Sequence, residues 1–139
     1  MKIPGPDHPI TIVHQPQRMR ATFNGQVIAE SAGALTLTEA QYPPVTYFPR
    51  QDVDMAFLSR TDRHTHCPYK GDAAYYSIVR DGAVAEDAVW TYETPFPAVA
   101  QIAGHLAFYP NHVQVTAVAS ETPDSLLKVD QPYKDTGAI

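Results

Sequence analysis

Two short segments hold most of the residues able to do chemistry. Residues 47–54 read Tyr47-Phe48-Pro49-Arg50-Gln51-Asp52-Val53-Asp54, and residues 64–72 read His64-Thr65-His66-Cys67-Pro68-Tyr69-Lys70-Gly71-Asp72. Arg50 offers a planar fork that fits a carboxylate or phosphate, and Lys70 offers a point charge. The alternative is that they pair with Asp52 and Asp72 and hold loops in place; either way they are expected in one electrostatic cluster. Cys67 is the candidate nucleophile, because a neighbouring cation such as Lys70 or a protonated histidine would stabilise its thiolate. If residues 65–70 are extended, His66 and Cys67 face opposite sides, so an activating histidine has to come from elsewhere, such as His105 or His8. The competing reading of Cys67 is a buried, inert thiol.

His64 and His66, spaced by two, can share a strand face and bind a metal with Asp62 or a distant carboxylate, or form an ordinary surface pair. Asp52 and Asp54 have the same spacing and, on a strand, would present two carboxylates to one side, as magnesium-dependent nucleotidyl transfer requires. No phosphate-cradling glycine loop accompanies them. Tyr47, Tyr75, Trp90 and Tyr92 either line a pocket or fill a core.

These residues must be positioned by a sheet. The chain has 139 residues with 13 prolines and 7 glycines, about twice the average proline usage, which excludes long helices and suits one domain. Its single cysteine excludes an internal disulfide and a cysteine-based zinc cage. A net charge of -5 without a basic run argues against nucleic acid as a partner. The N-terminus lacks the apolar run of a signal peptide, and no long apolar stretch follows, so no membrane association and a cytoplasmic location are expected.

Prolines at positions 4, 6, 9 and 16 make residues 1–16 an extended arm with one strand over residues 10–14. Alternation predicts strands over residues 19–23 and 26–30, joined by the Asn24-Gly25 turn, and a third over residues 34–39. A short strand is predicted at residues 45–48. The next segment, 50–54, reads equally as one helical turn or as a return to the sheet. Residues 73–80 and 83–92 form a second hairpin about Asp81-Gly82, at the centre of the sheet. Pro97, Val99, Ile102, Ala103 and Leu106 predict one short helix over residues 97–106, and residues 113–117 a closing strand. One compact, mainly β domain over residues 1–118 is expected, followed by an acidic tail, 119–139.

The motifs also carry a resemblance. Gly5-Pro6-Asp7-His8-Pro9-Ile10, the Tyr47–Val53 segment, the His66–Asp72 segment, Trp90-Thr91-Tyr92 and Ala107-Phe108-Tyr109-Pro110 occur in this order in the bacterial domain-of-unknown-function family 427 (DUF427). The chain resembles that family over roughly residues 5–118. The resemblance implies a β-tent fold, an antiparallel sheet sandwich shared with methionine sulfoxide reductases and zinc-binding guanine-nucleotide-exchange chaperones. Relatives in that group hold zinc through two cysteine pairs, and one cysteine cannot do so, so no zinc is expected. The family is sometimes labelled nucleotidyltransferase-like.

The expected function is a cytoplasmic domain that binds a small polar or anionic molecule. Tyr47, Arg50, Lys70 and Trp90 would gather around the ligand, with His8, Tyr69 and Tyr75 beside them. Asp52 would orient a cation or act as general base, and Cys67 would be nucleophile or wall. The alternative is a non-catalytic structural or interaction module, dimerising through an edge strand or the tail. Nucleotidyl transfer on Asp52 and Asp54 stands third.

Overall fold

The computed structural model describes residues 1–119, so all of the expected acidic tail beyond Ala119 lies outside the described residues. Ten strands follow one another: β1 (Ile10–His14), β2 (Met19–Phe23), β3 (Gln26–Ser31), β4 (Leu35–Glu39), β5 (Val45–Tyr47), β6 (Leu58–Cys67), β7 (Gly71–Arg80), β8 (Ala83–Tyr92), β9 (Leu106–Phe108) and β10 (Gln114–Ala117). They form three antiparallel sheets, ordered β1-β4-β5, β10-β2-β3 and β6-β7-β8-β9. Phe48 and Leu106 exchange two backbone hydrogen bonds of 2.8 Å and tie the first sheet to the third.

Both hairpins form where the turn residues predict them. Asn24 and Gly25 have φ of 49° and 77°, and Asp81 and Gly82 have 52° and 81°, the pair of left-handed residues that a type I′ turn needs.

The middle of the four-stranded sheet, β7 to β9, has buried residues on both faces because successive side chains of a strand point to opposite sides. Tyr76, Ile78, Val89 and Phe108 enter one core, with Phe23 and Ile28 of the β2-β3 hairpin. Ala73, Tyr75, Tyr92 and Ala107 enter a second, with Leu37 and Tyr47 of the first sheet. Tyr47 and Phe48, adjacent in sequence, therefore belong to different cores.

Two segments differ from expectation, and one that the sequence left open is decided. Residues 58–67 carry no apolar alternation, yet form the ten-residue β6, at one edge of the third sheet. Charged residues are what an edge strand exposes to keep other chains from pairing with it. The expected helix over residues 97–106 shortens to a 3-10 segment, Pro97–Ile102, broken at Val99 (φ -125°, ψ 29°). Leu106 instead opens β9, because pairing with Thr91 of β8 completes the sheet. Arg50–Asp52 takes the helical option, as one 3-10 turn.

Candidate functional site

Where β4, β5, β7 and β8 face one another, the second core is incompletely filled and leaves a chamber of about 210 Å³. Its walls are aromatic: Tyr47 from β5, Tyr75 from β7, Trp90 and Tyr92 from β8, Tyr109 after β9 and Tyr42 from the loop after β4. Tyr47 is 1% exposed and its hydroxyl accepts the Trp90 indole N–H at 3.2 Å. The two rings meet edge-on at 6.3 Å, and Trp90 lies 4.5 Å from Tyr109. A buried indole N–H needs such an acceptor, so the pair also fixes the orientation of both rings.

One wall of the chamber is charged. The Lys70 ammonium donates to Glu39 Oε1, with side chains only 10% and 14% exposed, and it stands 5.9 Å from the Tyr92 ring. Glu39 Oε2 lies 2.8 Å from His8 Nε2, and the His8 ring stacks on Tyr69 at 3.9 Å. Burial works to raise the Glu39 carboxyl, but hydrogen bonds from Lys70 and His8 outweigh it and hold the group below the usual carboxylate range. Lys70 thus meets Glu39, 31 residues away, rather than Asp72, which pairs with His66 at 2.6 Å.

Tyr75 has polar neighbours at both its hydroxyl and its ring face. Its Oη is 2.8 Å from Thr65 Oγ1, and the Arg63 guanidinium carbon sits 4.8 Å from the ring centroid. Burial pushes the phenol up, but its contacts with Thr65, Tyr109 and Arg63 bring it below the ordinary value. Burial and the bond to Tyr75 push Tyr109 up to about 12. Burial is the main cause that raises Tyr92, with nearby Tyr47 and Glu39 adding to it, and burial also dominates at Tyr47.

The structure therefore gathers Tyr47, Lys70, Tyr75 and Trp90, places His8 and Tyr69 behind the ion pair, and leaves Cys67 half-buried against the second core. The single electrostatic cluster expected for Arg50 and Lys70 does not form. Arg50 is exposed and reaches the Tyr76 hydroxyl at 3.3 Å, on the side of the third sheet that faces the other core. Asp52 accepts from Ser31 Oγ at 2.5 Å, and Ser31 Oγ in turn accepts the Gly33 N–H, so the carboxylate fastens a turn. Asp52 and Asp54 do not share a strand face, because the first closes a 3-10 turn and the second precedes another. His64 and His66 do lie two apart on β6, and among the described residues no three histidine, cysteine or acidic side chains come together as a metal site.

Glu39, Tyr42, Arg63, Thr65 and Tyr109 were not expected at the site, although Thr65 and Tyr109 lie inside motifs. Glu39 was legible: Leu35, Leu37 and Glu39 continue one alternating face, so a carboxylate falls where an apolar residue belongs. A larger hollow of about 590 Å³ lies beside Arg18, Arg20 and Glu30, but both guanidinium groups bond the one glutamate and no ring lines it. Among the described residues no helix is long and apolar enough to cross a membrane.

The family model described as "Domain of unknown function (DUF427)" matches residues 11–119. No curated protein matches the chain.

Proposed function

The chain belongs to the DUF427 family of domains of unknown function, and on that premise we propose that it binds a small, neutral, ring-shaped polar molecule in the aromatic chamber. The observation that carries this reading is the convergence of Tyr47, Tyr75, Trp90, Tyr92 and Tyr109 on a space of about 210 Å³ beside a buried ion pair. At about 30 Å³ per liquid water molecule, such a space suits one ring. Flat aromatic walls with a few convergent polar groups are what small-molecule sites present.

Neutrality follows from the charges. Lys70 is engaged by Glu39 and Arg50 stands outside the chamber, so an anion would find no free cation there. A ring carrying hydroxyl or carbonyl groups would stack on Trp90 and exchange hydrogen bonds with tyrosyl hydroxyls, Lys70 and Glu39. Binding of this kind requires no chemistry of Cys67 or Asp52.

Trp90 is the only tryptophan in the chain, so its emission reports the chamber directly. Titration with glucose, adenosine, glutarimide and phenol should give a saturable change with at least one of them. The Tyr75→Phe variant should bind that compound several-fold more weakly. A folded protein whose Trp90 emission responds to none of the four would overturn the proposal.

A further inference from the structure

A second cavity, of about 500 Å³, adjoins the chamber along the seam between the two cores. Tyr42, Pro43, Val45, Trp90 and Tyr109 line both spaces. The tilted pair Trp90 and Tyr109, with ring centroids 4.5 Å apart, belongs to this shared boundary. Tyr42 and Pro43, from the loop between β4 and β5, belong to it as well. Tyr42 is 65% exposed, so the boundary opens to solvent and is not a sealed wall.

The two spaces differ sharply in chemistry. The chamber contains Glu39 and Lys70, whereas no charged side chain lines the groove. Its floor is Met19, Phe108 and Val113 of the first core, and its sides are Pro44, Pro110 and Val115. Prolines bring no N–H that needs a partner and hold their backbone stiffly, so such a groove is ready to receive an apolar group without ordering cost.

We propose that the natural ligand is amphipathic: a hydroxyl-bearing ring occupies the chamber, and an apolar substituent on it crosses the Trp90–Tyr109 boundary into the proline-walled groove. This rests on the chamber being the ring site proposed above. The groove accounts for the substituent by its continuity with the chamber and its lack of charge. Water held against that surface gains little hydrogen bonding, and an alkyl chain displaces it favourably. At about 0.8 kcal/mol per buried methylene, each added carbon strengthens binding by up to about fourfold.

The test uses two probe series below their micelle-forming concentrations, n-alkyl β-glucosides from methyl to octyl and 4-n-alkylphenols from methyl to pentyl, with Trp90 emission as readout. Affinity should climb twofold to fourfold per carbon over the first several carbons. Val115→Gln and Pro44→Glu each alter the groove outside the chamber. Both should flatten that climb and leave the methyl member unchanged, with folding checked by circular dichroism. If the methyl and the longest members bind equally, the amphipathic ligand is excluded while the ring site stands. A climb that neither folded variant alters places the chain elsewhere and overturns the proposal, as does the absence of binding in both series.

Discussion

The ammonium of Lys70 meets the carboxylate of Glu39 inside an aromatic chamber, joining the turn before β7 to the end of β4 across 31 residues of sequence. Two charges removed from water are tolerated there because each satisfies the other, and His8 takes the second carboxylate oxygen. Such an arrangement fixes geometry more than it adds net stability.

Removing one partner is therefore costly. Glu39→Gln should destabilise the fold by about 3 kcal/mol, because it leaves the Lys70 ammonium buried without a counter-charge. Glu39→Gln combined with Lys70→Met should recover much of that loss. Urea unfolding of the two variants and the parent checks this, and equal losses in single and double variants would contradict it.

Acid should unfold the protein partly through the same carboxylate. The Glu39 pKa is lower in the folded than in the unfolded chain, because the bonds from Lys70 and His8 outweigh burial. Its contribution is thus complete above the unfolded value and is lost as pH falls through the folded one. The urea midpoint should fall as pH is lowered from 6 to 3. In Glu39→Gln the dependence should be shallower but still present, since Glu30 and Glu93 are lowered too, by their arginine partners.

Of Tyr47, Tyr75, Tyr92 and Tyr109, Tyr75 should ionise first. Burial opposes it, yet the contacts with Thr65, Tyr109 and Arg63 prevail, while Tyr109 is pushed up to about 12 and burial raises Tyr47 and Tyr92. An alkaline titration followed by tyrosine ring-carbon NMR should assign the lowest of these four transitions to Tyr75. Arg63→Met should move that transition to higher pH, and an unmoved transition would remove the guanidinium from the explanation.

Gly71 should resist replacement. Its φ of +110° is one that side-chain-bearing residues rarely adopt, whereas the nearest atoms to an added Cβ are at an ordinary 3.6 Å. The cost of Gly71→Ala is therefore conformational, about 1–3 kcal/mol. Because the Lys70 carbonyl accepts the Phe96 N–H at 3.0 Å just before this residue, the Lys70 side-chain NMR signals should shift as well. Unchanged stability in thermal unfolding would refute the strain.

Local signals made much of the fold legible. Asn24-Gly25 and Asp81-Gly82 specify their hairpins because few other dipeptides accept two positive φ values; alternation located β2 and β4, and the Asp81-Gly82 turn located the core strands β7 and β8. The polar edge strand β6 escaped because its character comes from having one neighbour and much water. The break at Val99 escaped because the same apolar spacing serves a helix or a turn leading into β9.

The sequence by itself determined a mainly β domain, the family, and a set of aromatic and charged residues able to build a site. It did not determine which of them meet. A strand sends neighbours to opposite faces, so Tyr47 reaches the chamber while Phe48 enters the other core, and Tyr75 and Tyr76 part in the same way. The motif that begins at Tyr47 is split by that alternation, and Arg50 ends beside Tyr76 on the far side of the sheet from Lys70. Only the packing of β4 against the turn before β7 could choose Glu39 as the partner of Lys70, because a buried charge is stable only where a distant element brings its counter-charge.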